Sequence, residues 1–275
     1  MSYWDDLTRH TDLVSIWMAH PLVRAAINTR VSGDPSVWPI EALKRQLPEQ
    51  APIANALSIG CGLGSLERSL VDEGVVSAIT AVDISESAIA EASKAAGSRP
   101  VQYVCGDART YLRARPGTFD AIFFHQSLHH FDGLHELMAL VRTALRPQGF
   151  LYIDEYVGPA RYEWSALKLL IPNLAYRMLP RTARRPHIVR APINREDPTE
   201  AIRSSEILPA MHEHFESISR RDYGGNLLAV VYPNLAQTDK RAFDAAVRKL
   251  IGMEDQLLRL GASSYYTVML ARPRA

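Results

Sequence analysis

The amino-acid sequence predicts an α/β protein with a doubly wound, mainly parallel sheet. From residue 54 onward, short apolar runs typical of strands alternate with amphipathic runs typical of helices. The first apolar run ends in three alternating glycines, Gly60, Gly62 and Gly64, and the next two end at Asp83 and Asp107. Because the carboxyl ends of parallel strands lie at one edge of such a sheet, where ligands bind, the sequence predicts a ligand site at that edge.

Seven strand-like segments form the predicted sheet. Runs bounded by turn residues place these strands at about 55–60, 76–82, 101–105, 119–125, 149–156, 215–221 and 265–271. Helix-like segments lie between strands at 65–72, 85–96, 108–114, 133–145 and 240–260. The alternation predicts parallel strands with helices on both faces of the sheet.

The glycine loop at residues 60–64 has the composition of a nucleotide-cofactor loop. Glycine has no Cβ, so the turn can take positive φ, and a ligand can lie against the backbone beside the free N–H groups of the next helix. The glycines alternate as G-x-G-x-G, whereas dinucleotide loops read G-x-G-x-x-G. The spacing therefore disfavours an NAD(P)-dependent oxidoreductase.

Five motifs occur in order between residues 54 and 156: Gly60-Cys61-Gly62-Leu63-Gly64, Ala81-Val82-Asp83-Ile84, Gly106-Asp107-Ala108, Phe119-Asp120-Ala121-Ile122 and Leu145-Arg146-Pro147-Gln148-Gly149-Phe150-Leu151. Through them the chain resembles the class I S-adenosylmethionine-dependent methyltransferases. The resemblance implies a Rossmann-like seven-stranded fold whose last strand inserts antiparallel beside the fifth, and S-adenosylmethionine as cofactor with S-adenosylhomocysteine as product.

The resemblance also implies roles for single residues. The glycine loop would lie under the methionine and ribose parts of the cofactor, Asp83 would accept hydrogen bonds from both ribose hydroxyls, and Asp107 would accept one from the adenine amino group. The full set of expected cofactor-binding residues is Ser58, Gly60, Cys61, Gly62, Gly64, Asp83, Ile84, Asp107, Ala108, His125 and Gln126.

Ser58 departs from the family pattern, which usually has an acidic residue two positions before the first glycine. The loss of one charge-assisted hydrogen bond to the cofactor's amino group would weaken binding by about 1–3 kcal/mol unless backbone carbonyls or water substitute. Asp83 and Asp107 also have a structural interpretation, because an Asp that follows a strand is often the N-cap of the next helix. The ordered set of motifs favours cofactor binding.

Three histidines follow the fourth predicted strand. Imidazole titrates near neutrality, so a histidine here is a candidate base for removing a proton from the methyl acceptor. His129 is the preferred candidate, and for His130 a hydrogen-bonded structural role is favoured over that of a base. His125 and His129 are four residues apart but lack an acidic helix motif between them, so no metal site is predicted.

The end of the fifth predicted strand supplies two further catalytic candidates, Glu155 and Tyr156. In an alternating strand Asp154 and Tyr156 face one side and Glu155 the other. The structural alternative pairs Asp154 or Glu155 with an arginine such as Arg161 or Arg203, because a buried carboxylate needs a partner. The sequence leaves the catalytic and structural interpretations equally open.

Four regions make up the predicted domain organisation. Residues 1–53 form a helical cap, in which Trp4, Leu7, Leu13, Ile16 and Trp17 recur at helical spacing, and Trp17 is expected to contact substrate. Residues 54–156 form the cofactor-binding core, and 215–275 complete its sheet. Residues 157–214 form a substrate-binding lid inserted between strands five and six, with a helix at 162–179 broken at Pro172 and a loop at 180–198.

Arginine is frequent in the loop-like half of the insertion. Guanidinium groups hold carboxylate or phosphate at two points, so Arg184 and Arg185 are expected to bind an anionic substrate as the lid closes. The alternative is a solvated surface loop whose arginines pair with Glu196 and Asp197.

Composition limits the functional classes. The 275-residue chain has a formal net charge of +1, which gives no general basic field for nucleic acid. Its two cysteines make no disulfide framework, and the sequence shows neither a signal-like N-terminus nor an apolar run of bilayer length, so a cytoplasmic protein is expected.

The sequence thus predicts methyl transfer to an oxygen, or next to a nitrogen, of a small-molecule acceptor. The acceptor is expected to be an anion or a secondary metabolite, and a homodimer is left open. The alternative from another class is a methyltransferase-like binding protein without catalysis.

Overall fold

A seven-stranded sheet lies at the centre of the protein in a computed structural model that describes residues 17–47, 52–185 and 187–274. The strand order is β3-β2-β1-β4-β5-β7-β6. The last strand, β7, pairs antiparallel with both β5 and β6, while the pairs from β3 to β5 are parallel. The bounds are β1 (Ala56–Ile59), β2 (Ile79–Asp83), β3 (Val101–Cys105), β4 (Phe119–His125), β5 (Leu145–Tyr156), β6 (Phe215–Gly224) and β7 (Tyr266–Pro273). The predicted sheet, including its antiparallel final strand, is confirmed.

Helices cover both faces of this sheet. The five helices predicted within the core agree with the structure to within one residue at each end. The bounds are α1 (Pro21–Ser32), α2 (Pro39–Gln46), α3 (Ser65–Asp72), α4 (Glu86–Ala96), α5 (Ala108–Arg113), α6 (Leu134–Ala144), α7 (Leu170–Arg177), α8 (Ile207–His214), α9 (Leu228–Val231) and α10 (Lys240–Arg259). None of these described helices is long and apolar enough to cross a membrane.

Burial on both sides explains the continuous apolar run of β4. Ala121 and Phe123 face one apolar layer together with residues of α1 and α10, and Ile122 and Phe124 face the other together with residues of α6. Side chains alternate between the faces of a strand, so the central positions of a strand that is covered by helices on both sides are apolar. The two layers leave the carboxyl edge of the parallel strands as the open end of the sheet.

The predicted helix at 162–179 is wrong in its first half. Helix α7 begins at Leu170 and ends at Arg177, and Pro172 lies inside its first turn. The N–H of a first-turn residue has no acceptor within the helix, so a proline there removes no hydrogen bond. Pro172 therefore lies at the start of a helix, whereas the sequence predicted that it would break one. Apolar residues before the helix, such as Leu167, are exposed instead of forming a helical face.

The described part of the N-terminal region packs against α10. Helix α1 starts after His20, whose Nδ1 accepts a hydrogen bond from the Leu22 N–H at 3.2 Å. Arg30 of α1 then forms ion pairs of 2.7 Å with Glu254 and with Asp255 of α10. The predicted helical positions Trp4, Leu7, Leu13 and Ile16 lie outside the described residues.

Candidate active site

The glycine loop joins β1 to α3 at the carboxyl edge of the sheet. Gly60 has a φ of 71°, and a Cβ on it would lie 2.5 Å from the Cβ of Ser127 in the loop after β4. Gly62 has a φ of 50°, and no heavy atom lies within 4 Å of its Cβ position. Gly60 is therefore required by a close neighbour and a left-handed backbone, whereas Gly62 leaves open space in which a ligand can approach the backbone.

Asp83 lies against this loop from the end of β2. Its Oδ2 accepts a hydrogen bond from the Gly62 N–H at 2.8 Å, and its Oδ1 accepts one from the Ser85 N–H at 2.9 Å. Ser85 caps α4, because its hydroxyl accepts from the Ala88 N–H at 3.1 Å. The capping interpretation of Asp83 is wrong. The next residue, Ile84, is an apolar side chain that is 67% exposed at this edge.

Asp107 does cap the helix that follows it. Its Oδ1 accepts from the backbone N–H and from the hydroxyl of Thr110, both at 2.8 Å. The Thr110 hydrogen bonds lower the pKa of Asp107, so the carboxylate is charged across the neutral range. The cap uses one oxygen of this exposed residue, and Ala108 is buried beside it.

Sequence reasoning missed one residue near the glycine loop, Glu67. It projects from the first turn of α3, is 1% exposed, and its Oε1 accepts a hydrogen bond from the hydroxyl of Ser58. The signal that could have found it was an acidic residue on the buried face of the helix, nine positions after the serine that interrupts the expected motif.

Glu155 organises the turn that follows β4. It is fully buried, and its Oε1 accepts hydrogen bonds of 2.5 Å from the backbone N–H groups of Ser127 and Leu128. Its other oxygen, Oε2, lies 2.8 Å from Nδ1 of His129. Glu155 therefore fixes the orientation of the His129 ring and leaves Nε2 directed away from it.

The arginine partners expected for the strand-five carboxylates are wrong. Arg161 donates to the backbone carbonyls of Asp197 and Asn194, and Arg203 pairs with Glu206. Histidine and backbone groups satisfy Glu155 instead.

Asp154 holds the start of the same loop. Its Oδ1 accepts hydrogen bonds from the Tyr223 hydroxyl at 2.6 Å and from Nε2 of Gln126 at 3.1 Å. Gln126 has a φ of 53°, and Nε2 of His125 lies 3.7 Å from the other carboxylate oxygen. The contacts tie the two predicted cofactor residues His125 and Gln126 to the buried end of β5.

The insertion brings Glu200 up to the paired histidines. The two Glu200 oxygens lie 3.8 Å from Nε2 of His129 and 3.8 Å from Nε2 of His130. Atoms of these three side chains lie within 4.8 Å of one another, a spacing at which they could share a cation. Sequence reasoning missed Glu200, and no local pattern marks it.

The pKa values of the two adjacent histidines are shifted in opposite directions. Burial alone would lower the pKa of His129, but the carboxylates of Glu155, Glu200 and Asp197 outweigh it and raise that pKa. Burial and the neighbouring His129 lower the pKa of His130 to about 2, so His130 stays neutral. Burial raises the pKa of Glu200.

An aromatic cavity of about 190 Å³ lies beside Glu200. Tyr156 and Trp17, two of the predicted site residues, are among its lining residues, whereas His129, His130 and Glu155 are not. The Tyr156 hydroxyl donates to the Pro159 carbonyl at 2.9 Å, and burial raises the pKa of this phenol, so it remains protonated. The lining comprises Trp17, Tyr156, Arg161, Trp164, Pro192, Ile193, Glu200, Ala201, Ala229, Val230, Tyr265 and Tyr266.

Arg184 and Arg185 lie at a different cavity. That cavity has a volume of about 510 Å³, and none of its lining residues also lines the aromatic cavity. Tyr176 holds the segment, because its hydroxyl accepts from the Arg185 N–H at 2.7 Å and donates to the Arg185 carbonyl at 2.9 Å. The lining is Asn173, Tyr176, Arg177, Arg181, Arg184, Arg185, His187 and Ile188.

The fold and the glycine loop are similar to those of class I S-adenosylmethionine-dependent methyltransferases. Residues 57–153 match the family described as "Methyltransferase domain". The chain therefore contains such a domain, in agreement with the resemblance carried by its motifs.

Two curated relatives are similar to part of the chain. One is malonyl-[acyl-carrier protein] O-methyltransferase of Halalkalibacterium halodurans, 32% identical over 123 residues that cover 44% of this chain and 45% of that protein. Another is ubiquinone biosynthesis O-methyltransferase of Thiobacillus denitrificans, 27% identical over 114 residues that cover 40% of this chain and 48% of that protein. The chain spans about half the length of the curated relatives it matches.

Solved structures share the fold at lower sequence identity. Geranyl diphosphate methyltransferase in complex with GPP and sinefungin has a TM-score of 0.53 at 17% identity, over 85% of this chain and 77% of that one. Phosphoethanolamine N-methyltransferase 2 of Haemonchus contortus, in complex with S-adenosyl-L-methionine, has a TM-score of 0.52 at 16% identity, over 100% of this chain and 60% of that one. The likeness shows the fold.

Proposed function

We propose that the protein transfers a methyl group from S-adenosylmethionine to an oxygen of a small-molecule acceptor. The observation that carries the proposal is the aromatic cavity at Tyr156, the last residue of β5. The glycine loop follows β1, which is parallel to β5 and separated from it by β4, so the loop and the cavity lie at the same edge of the sheet. Both curated relatives are named as O-methyltransferases, which supports oxygen over nitrogen.

The cofactor half of the proposed site uses residues at the ends of β1, β2 and β3. Asp83 would accept hydrogen bonds from the ribose hydroxyls. Asp107 would accept one from the adenine amino group through the carboxylate oxygen that does not cap α5. The exposed side chain of Ile84 would pack against the adenine ring. When bound, S-adenosylmethionine supplies a methyl group on a sulfonium. The protein's own residues then need only align the acceptor, exclude water and remove a proton.

The acceptor half of the proposed site is the aromatic cavity. Five aromatic side chains form its walls, and Arg161 and Glu200 are its charged groups. Walls of this kind favour a flat, partly apolar acceptor, and the Arg161 guanidinium favours one that carries a negative charge. This composition supports a small molecule, an anion or a secondary metabolite.

Glu200 is the base of the proposed reaction. Glu200 lines the cavity, and burial raises its pKa toward the working range of a base for a hydroxyl. The Nε2 atom of His129 lies 3.8 Å from Oε1 of Glu200, and Glu155 fixes the orientation of the imidazole ring, so His129 positions Glu200 and offsets part of its negative charge. His130 stays neutral and supports the turn through a contact of 3.3 Å with the Thr199 hydroxyl.

Calorimetric titration of the purified protein with S-adenosylhomocysteine and with NADH tests the cofactor. We expect binding of the first and none of the second. Incubation with methyl-labelled S-adenosylmethionine and fractions of a metabolite extract then tests transfer. Binding without transfer to any fraction would support a methyltransferase-like binding protein, and binding of NADH alone would support an oxidoreductase.

A further inference from the structure

We propose that Glu67 and Ser58 form the subsite that holds the ammonium group of the cofactor's methionine moiety. This inference rests on the proposed function, because it assigns part of the same cofactor site. It places the acidic group on α3, whereas the family usually has it on β1 at the position of Ser58.

The two residues bracket the glycine loop. Ser58 precedes the loop by two positions on β1, and Glu67 follows it by three positions in the first turn of α3. The hydrogen bond from the Ser58 hydroxyl to Glu67 Oε1 joins the two sides. The Glu67 carboxylate therefore occupies the region that an acidic side chain at position 58 would reach.

One carboxylate oxygen of Glu67 accepts no hydrogen bond from the described residues. The residue is 1% exposed, and no donor among the described residues reaches Oε2, which is buried. Within the described chain, no lysine, arginine or histidine forms an ion pair with this carboxylate. A buried carboxylate oxygen without a donor is costly, so a ligand that brings a donor and a positive charge to it is stabilised.

The described charged groups around Glu67 do not pair with its carboxylate, so a bound ligand can supply the positive charge. Arg68, the next residue on the helix, donates to the Leu63 carbonyl at 2.8 Å. Cys61 of the loop, Tyr103 of β3 and His125 at the end of β4 are the other titratable groups coupled to this carboxylate, and burial raises the pKa of both Cys61 and Tyr103. Burial likewise raises the pKa of Glu67 itself.

Of the positively charged groups of the cofactor, the ammonium group is the one that can donate hydrogen bonds to Glu67. S-adenosylmethionine carries two positive centres, the sulfonium and the ammonium, and the ammonium alone has N–H donors. A primary ammonium has three, which suits a buried acceptor oxygen beside a serine hydroxyl. The ligand class for this subsite is therefore the α-amino group of an amino acid attached to a nucleoside.

Calorimetry of four proteins with S-adenosylhomocysteine tests the assignment. Glu67→Gln keeps the size of the side chain and its contact to Ser58, and we expect it to weaken binding by about 10- to 100-fold. The exchange variant Ser58→Asp/Glu67→Ser returns the carboxylate to β1 and is expected to restore affinity to near that of the wild type. Glu86→Gln, an exposed change in the first turn of α4, is the control and is expected to bind as the wild type does.

A second ligand separates a binding role from a structural one. Methylthioadenosine has the nucleoside and sulfur but no amino group, so Glu67→Gln should bind it as tightly as the wild type does. Equal losses for both ligands, no loss for Glu67→Gln, or a well-folded exchange variant that stays weak would each overturn the inference while leaving the proposed function standing. Failure of the wild-type protein to bind S-adenosylhomocysteine would overturn both. If Glu67→Gln does not fold, the exchange variant and its ratio of affinities for the two ligands decide.

Discussion

At the scale of single residues, two aspartates with the same sequence context have different local partners. One oxygen of Asp107 caps the N-terminus of α5. Asp83 does not cap a helix, because Ser85 caps α4, and it contacts the glycine loop at Gly62 instead. Both lie at the carboxyl end of a strand, so sequence alone assigned them the same two interpretations. The hydrogen bonds separate them, because Asp83 is the carboxylate that links the loop to β2.

Asp83→Asn should weaken S-adenosylhomocysteine binding by about 10- to 100-fold, because a neutral amide accepts weaker hydrogen bonds from two ribose hydroxyls than a carboxylate does. The amide oxygen can still accept from one of the two N–H groups that Asp83 contacts, those of Gly62 and Ser85, so the fold should persist. Calorimetric titration measures the affinity. Asp72→Asn, which changes an exposed carboxylate paired with Arg99, is the matched control and should leave affinity unchanged. An equal affinity for both variants would contradict the ribose assignment.

The pH dependence of turnover should report on Glu200. Burial raises its pKa, so its basic form fills only as pH rises through a value above the ordinary glutamate range, and kcat/KM should increase over that interval. Glu200→Gln should lower kcat by about 100-fold or more and abolish this increase. The neighbouring Glu206→Gln, which changes an exposed pair with Arg203, should keep the wild-type profile. A retained increase in Glu200→Gln would assign the titration to another group.

At the scale of elements, the turn before α9 depends on α10. Glu254 of α10 is fully buried, pairs with Arg30 at 2.7 Å, and its Oε1 accepts from the N–H groups of Gly225, Leu227 and Leu228 at 2.9–3.0 Å. The next two residues, Ala229 and Val230, line the aromatic cavity. The buried pair therefore connects α1, α10 and one wall of the cavity.

Glu254→Ala should lower the free energy of unfolding by about 3–5 kcal/mol, because it leaves a buried guanidinium and three N–H donors without this acceptor. Urea denaturation followed by circular dichroism measures the loss. Glu216→Ala removes a carboxylate from an exposed pair with Arg272 and should cost about 1 kcal/mol or less. Losses of the same size in the two variants would show that the buried pair contributes no more than the exposed one.

The core elements were predictable because local and tertiary signals agree there. The helix at 65–72 follows glycines, and the one at 240–260 follows Asp239, which caps it in the structure. Pro172 misled the prediction for the insertion, since a proline ends one helix but starts another, and only the path of the chain decides between them. Glu200 was out of reach for a similar reason, because its distance from His129 depends on how the insertion folds back across about 70 residues of sequence.

At the scale of the whole molecule, charge is distributed unevenly. Residues 161–195 contain eight arginines and lysines and one glutamate, a net charge of +7, so the remainder of the chain, whose total is +1, carries −6. A concentrated positive field beside a cavity attracts anions and speeds their encounter, and salt weakens this attraction. The arginine-lined cavity at Arg184 and Arg185 lies inside this segment, apart from the aromatic cavity.

Arg184→Ala/Arg185→Ala should therefore act on encounter and binding more than on chemistry. For an anionic acceptor we expect KM to rise several-fold at low salt, with kcat nearly unchanged and a difference from the wild type that shrinks as salt screens the field. Steady-state kinetics at two ionic strengths measure both effects. Arg241→Ala/Arg248→Ala removes the same charge from exposed positions of α10 outside the segment and should leave KM close to the wild-type value. If KM rises equally in the two double variants, net charge alone is responsible. If KM does not change in either, the arginines of the insertion belong to a solvated surface loop.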